Sequence, residues 1–187
     1  QLMSLSDEQK NSQALLLLSA SVNLTNQQFQ QARIEYQRYL RDYGENKNVR
    51  KQLATIAFRS GQLSTAKEHI DKALVTPSDS TELYLLASKI YQQTLNKSAY
   101  LTFITEAHTK LPTNDIISRL YINALIANGN VKAANALLKD LNLESTANKV
   151  MLGFIQLQQK ELAQAKVTVQ SLLDKHPNKI EVVQLAG

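Results

Sequence analysis

The chain has no cysteine and no tryptophan, and only three prolines and five glycines in 187 residues. Without thiols there is no disulfide frame and no cysteine-based metal site. That is compatible with the bacterial periplasm without requiring it. Long apolar runs are also missing. The longest, Ala14 to Leu18 and Leu83 to Ala87, fall far short of the ~20 residues a membrane span needs. No charged–apolar–small signal segment opens the chain. It begins with Gln1, as expected of a processed or excised fragment, so a lipid anchor outside it would leave no trace. No stretch of five like charges occurs, and the net charge of +5 is spread along the sequence. Such a diffuse excess is a solubility feature more often than a mark of an acidic partner.

At 43% hydrophobic and 20% charged, the composition is that of a folded, soluble chain, long enough for one or two compact domains. Glutamine and asparagine are abundant but alternate with apolar residues at helical spacing, as solvated helix faces do.

The organising stretch is Asn48 to Pro77, which reads as two short amphipathic helices around a Ser60-Gly61 turn. Leu53, Ala54, Ile56 and Ala57 mark the first helix. Ala66, Ile70, Ala73 and Leu74 form one face of the second at a 3.6-residue period. A hairpin of this kind cannot bury both faces alone. Its likenesses recur along the chain. Ala32, Ala66 and Ala134 fall on a 34-residue period, with Tyr100 on the same register, and Ala165 follows after a step of 31. Four residues beyond each stands a larger apolar side chain: Tyr36, Ile70, Ile104, Leu138 and Val169. All three prolines, Pro77, Pro112 and Pro177, close second helices. The predicted helices span 9–23, 29–42, 47–60, 64–75, 81–93, 97–111, 115–128, 131–141, 146–159 and 162–175. They pair as 9–44, 47–77, 81–112, 115–142 and 146–177. The three-residue shortening is expected in the link from Asn142 to Ser145, with a small change of superhelix pitch there. Leu2, Met3 and Leu5 read as the remnant of an earlier second helix, and Lys179 to Val183 as the start of a sixth first helix. These apolar ends suit excision from a longer array.

A 34-residue helix–turn–helix period resembles the tetratricopeptide repeat. The residues that carry the resemblance are Tyr84, Ser88 and Tyr91, the pairs Leu53-Ala54 and Leu152-Gly153, the turn glycines Gly61 and Gly129, and the second-helix Ala–large–Pro pattern. It covers about Gln13 to Asn178. Tyr100 departs from the pattern where a small residue is usual, and Ser118 where a large one is. Three turns lack glycine and use Asn26, Asn96 and Gln159-Lys160, where asparagine tolerates the left-handed conformation. The resemblance implies an all-α, right-handed α-solenoid of antiparallel helix hairpins, a single array over 1–187.

No catalytic constellation appears: no GxSxG, GxGxxG, P-loop or HExxH. His69, His108 and His176 lie in or at the ends of second helices, and are read as cations suited to helix C-termini rather than as metal or catalytic groups. Lys67 and Asp71 read as an ordinary helix-surface pair. The expected protein is not an enzyme and has no cofactor.

The resemblance places the functional surface on the concave face of the first helices. The groove positions it implies are Lys51, Thr55, Phe58 and Arg59, then Glu82, Leu85, Lys89, Gln92 and Gln93, then Arg119, Asn123 and Ile126, then Val150, Phe154 and Leu157. Of these, Lys51, Thr55, Phe58, Arg59, Lys89, Gln92, Gln93, Arg119 and Asn123 form the candidate partner-binding set. Phe58 is either an exposed apolar anchor or packs between neighbouring first helices. The Lys/Asn carboxylate clamp of chaperone-binding members is not reproduced, because Thr55 and Lys89 stand where asparagine is needed. The implied function is a scaffold that binds a peptide or protein. Phrases such as QQFQQARIEYQRYL and KHPNKIEVVQLAG are similar to bacterial tetratricopeptide lipoproteins of exopolysaccharide export and PEP-CTERM sorting. That likeness implies the periplasm or envelope, with the cytoplasm as the alternative. An RNA-binding helical repeat is the second reading; diffuse charge and the 31-residue step speak against nucleic acid. A helical accessory domain of a larger enzyme is the third.

Overall fold

The computed structural model describes residues 7–75 and 80–186, which form eleven helices and no strand. Pro77, the remnant at Leu2, Met3 and Leu5, and Gly187 lie outside the described residues. The chain divides into two compact units, Gln1–Thr94 and Leu95–Gly187. Unit 1 holds α1 (Asp7–Thr25), α2 (Phe29–Tyr43), α3 (Lys47–Arg59), α4 (Leu63–Leu74) and α5 (Thr81–Thr94). Unit 2 holds α6 (Lys97–Lys110), α7 (Asp115–Ala127), α8 (Val131–Leu138), α9 (Thr146–Gln158), α10 (Leu162–Lys175) and α11 (Ile180–Ala186). The ten predicted helices stand within three residues of the observed ones at every end. The third expected pair, α5 and α6, is divided between the units.

Four hairpin turns share one hydrogen-bond pattern. The amides of Gln28, Gln62, Asn130 and Glu161 donate to the carbonyls of Asn23, Ala57, Leu125 and Gln156, at 2.8–2.9 Å. This is the closure of a helix by one residue in the left-handed conformation. Gly61 (φ 71°) and Gly129 (φ 80°) supply it without strain. In the other two turns Gln27 and Lys160 take φ of 60°. Asn26 is therefore not the left-handed residue of its turn. Nor is Asn96, whose backbone is extended (φ −71°, ψ 165°) and whose side chain caps α6 by accepting from the Ala99 amide at 2.9 Å. Asn46 and Asn114 cap α3 and α7 in the same way.

Packing follows the periodic residues. Ala32, Ala66 and Ala134 are fully buried, and Ile70, Ile104 and Leu138, one turn on, are buried at 1% exposure or less. In unit 1 the core joins Ala20, Tyr36, Tyr39, Val49, Leu53 and Ile56 across α1, α2 and α3. In unit 2 one cluster spans α7, α8 and α9 and a second joins Val150, Leu172, Val182 and Leu185. Gly153 allows the second. A Cβ there would sit 2.6 Å from the end of the Leu185 side chain, so Gly153 leaves the space that Leu185 of α11 occupies against α9.

The 31-residue step has a different origin from the expected one. It is helix α8 that is short, at 8 residues against 14 in α6 and α10. The connection over 139–145 is correspondingly long. Two tight turns end α8, with the Asp140 and Leu141 amides donating to Leu137 and Leu138. Leu141 and Leu143 still pack on the core. The carbonyl of Asn142 accepts from the side chain of Asn148 at 2.8 Å. Asn148 is buried at a position where α3, α5 and α7 carry Val49, Leu83 and Ile117. A polar side chain there supplies the donor that the irregular connection needs.

Candidate functional site

Unit 2 carries a cavity of about 400 Å³ on the face of its first helices. The heptad-like spacing of α7 puts Ile116, Arg119, Leu120 and Asn123 on one side of that helix. Ala147, Val150, Met151 and Phe154 occupy the matching stripe of α9, and Lys179, Glu181 and Gln184 come from α11 and the residue before it. Phe154 and Ile116 leave 41% and 42% of their surface open, while Val150 and Met151 are buried floor. No hydrogen bond or ion pair among the described residues engages the side chains of Arg119 or Asn123. The structure thus brings the expected Arg119, Asn123, Val150 and Phe154 to one cavity. Leu157 lies on α9 outside the lining, 39% exposed, and Ile126 packs on the core.

Ile116, Leu120, Met151 and the α11 residues were not among the expected groove positions. One signal could have found Gln184: it lies a full 34-residue step beyond Val150 on the sixth first helix.

The other expected residues lie in unit 1. Lys51 on α3 and Glu82 on α5 share a face and form an ion pair at 3.1 Å. Glu82 is 81% exposed, so the pair adds at most about 1 kcal/mol. Its consequence is chemical: the Lys51 charge is already answered. The Thr55 hydroxyl donates to the Lys51 carbonyl of its own helix at 2.9 Å. Phe58 is half-buried, between the two readings considered for it. The Arg59 guanidinium lies 5.8 Å from the ring centre of Phe29, at the start of α2, a cation–π contact within the repeat stack. Lys89, Gln92 and Gln93 are exposed on α5.

His69 and His108 are not the helix-end cations expected. Burial, and then the Arg50 guanidinium, hold His69 below the ordinary histidine range. Its Nδ1 stands 3.1 Å from Arg50 Nη1, so the neutral ring accepts from arginine. Arg50 in turn pairs with Glu45, its Nε donating to Oε2 at 2.7 Å. Burial also lowers His108, which lies 5.0 Å from the Tyr121 ring. Lys67 and Asp71 are more than a surface pair. Asp71 accepts from both Lys67 and the Tyr91 hydroxyl, tying α4 to α5, and Lys67 lies 5.6 Å from the centre of the Tyr91 ring. Burial and the Asp71 carboxylate push the Tyr91 hydroxyl well up. Among the described residues no three acidic or histidine side chains are grouped to hold a metal. No described helix is long and apolar enough to cross a membrane.

No protein-family profile and no curated protein sequence matches the chain. Solved structures do. YrrB, described as a TPR protein with an unusual peptide-binding site, is 11% identical, with a TM-score of 0.75 over 90% of this chain and 89% of its own. MamA from Desulfovibrio magneticus RS-1 is 12% identical, with a TM-score of 0.76 over 95% of this chain and 99% of its own. PilF of Pseudomonas aeruginosa is 11% identical, with a TM-score of 0.69 over 91% of this chain and 79% of its own. The chain thus shares the fold of these tetratricopeptide-repeat proteins.

Proposed function

We propose that the protein is a non-enzymatic interaction scaffold that holds a polypeptide segment on its first-helix faces. The cavity of unit 2 is the principal contact. The observation that carries this is an open apolar floor, Phe154 with Val150 and Met151, beside an arginine and an asparagine without partners among the described residues. Pockets that bind polypeptide side chains have this make-up, apolar with a few orienting polar groups. The seven unit 1 positions, Lys51, Thr55, Phe58, Arg59, Lys89, Gln92 and Gln93, form a second, more polar contact face. YrrB, of the same fold, is described as having a peptide-binding site, which supports the reading.

The test is panning of random peptides displayed on phage against the immobilised chain. Enriched peptides should lose binding on Phe154→Ala, an exposed position whose truncation leaves the core intact. Absence of enrichment, or binding indifferent to Phe154→Ala, overturns the proposal.

The finer reading places the scaffold in the bacterial envelope, assisting assembly of exopolysaccharide-export or protein-sorting machinery. Its support is the likeness of the phrases quoted above to lipoproteins of those systems. Fractionation of cells expressing the native gene tests it: recovery in the cytosol removes the envelope role.

A further inference from the structure

We infer that the unit 2 cavity selects segments in which a bulky apolar side chain stands within two residues of a carboxylate. The inference rests on the scaffold reading and adds the chemistry of the ligand to it.

The floor and the rims differ in kind. Val150, Met151, Phe154 and Leu120 offer an entering side chain no strong hydrogen-bonding group, so only an apolar side chain gains by leaving water there. On the α7 rim, Arg119 and Asn123 are four residues apart and stand one above the other. The guanidinium presents a planar fork of donors that fits a carboxylate, and the asparagine adds an amide beside it. On the α11 rim, Lys179 and Glu181 carry opposite charges and nearly cancel. The net positive field therefore enters the cavity from α7. A ligand carboxylate belongs at Arg119, its apolar neighbour on the α9 floor, and a lysine or arginine in that place meets like charge.

The register of the repeat explains why Arg119 is open. Lys51 and Arg119 occupy equivalent positions, two repeat lengths apart. The first helix following Lys51 supplies Glu82, which closes on it. The position of α9 equivalent to Glu82 is Ala147, which has no charge to offer. The acid that the repeat supplies internally in unit 1 is left, in unit 2, to a ligand.

Peptides enriched by the panning above are synthesised as fluorescein conjugates, each with an amide twin in which the acid becomes asparagine or glutamine. Binding to the full chain is read by anisotropy. The expected consensus places Asp or Glu within two residues of Phe, Leu, Ile or Met. The acid form should bind about tenfold better than its twin on the native chain. It should lose that advantage on Arg119→Gln and on Ala147→Glu, which supplies the missing partner from within. Ala147 is exposed and Arg119 half-exposed, and circular dichroism confirms that both variants fold. Enriched peptides without acids, or an acid preference that survives both substitutions, overturn the inference while the scaffold reading stands. Peptides indifferent to Phe154→Ala remove the scaffold reading itself.

Discussion

In unit 1 the cation on the first-helix face, Lys51, is met by Glu82 one helix on. In unit 2 the equivalent Arg119 faces Ala147 and stands beside an apolar cavity. At one register position the cation of unit 1 has a partner within the chain where unit 2 carries the uncharged Ala147, and the unit 1 face is the more polar of the two. Repeat proteins can thus change their binding surface without touching the core, because groove positions and packing positions lie on different stripes of the same helix.

The comparison can be broken from the core outward. Ile122→Ala, at a fully buried site in unit 2, should cost about 2–5 kcal/mol by cavity formation. Hydrogen exchange over α7, α8 and α9 measures it. Gly153→Ala is subtler. The added methyl meets Leu185, and overpacking should cost about 1–3 kcal/mol. Amide protection of 180–186 should fall, opening the α11 wall of the cavity, whereas a substitution at Leu157 should leave it unchanged. Lys160→Gly should stabilise by about 1 kcal/mol, because glycine adopts φ of 60° without the Cβ clash. Denaturant melts decide the sign. Glu82→Ala should change stability by less than about 1 kcal/mol. It should nevertheless give the unit 1 face a preference for acidic peptides, bringing the two faces closer together.

A pH titration sharpens the contrast further. The folded pKa of His69 lies below its unfolded value, so the unfolded chain binds the proton first as pH falls. The stability that neutral His69 contributes is complete above the ordinary histidine range, about 6.5, and declines as pH drops through that value. Arg50, Glu68, Lys72 and Glu45 act on the ring, and the arginine acts more strongly than either carboxylate. Urea melts at pH 8 and pH 5.5 should show a loss that His69→Gln removes. An unchanged slope in the variant assigns the effect to His108 in unit 2, which burial shifts the same way.

Much of the fold was legible in the sequence because every repeat but the one at Tyr100 states its packing twice, once as a small residue and once as a large one a turn later. Ala66 with Ile70 and Ala134 with Leu138 both end fully or almost fully buried. The shortening at α8 was misplaced for a physical reason. Leu137, Leu138 and Leu141 keep helical spacing past the point where the helix stops, and only Asn148, a buried amide in an aliphatic position, betrays the irregular connection. The site was legible in part. The resemblance placed Arg119, Asn123, Val150 and Phe154 on one face, and they do line one cavity, but it did not show that Lys51 is answered by Glu82. That depends on two long side chains meeting across neighbouring helices, which spacing within one helix does not encode. The histidine protonation states were hidden for a similar reason, since burial and Arg50 come from other elements.

The four hairpin turns carry a last consequence. Each is defined by an amide-to-carbonyl bond spanning five residues, and the residue at its apex is glycine twice, glutamine once and lysine once. The apex is therefore a backbone shape with an open vocabulary: several side chains spell it, at differing energetic cost. A comparison that reads letters sees four unrelated turns, and one that reads coordinates sees the same turn four times.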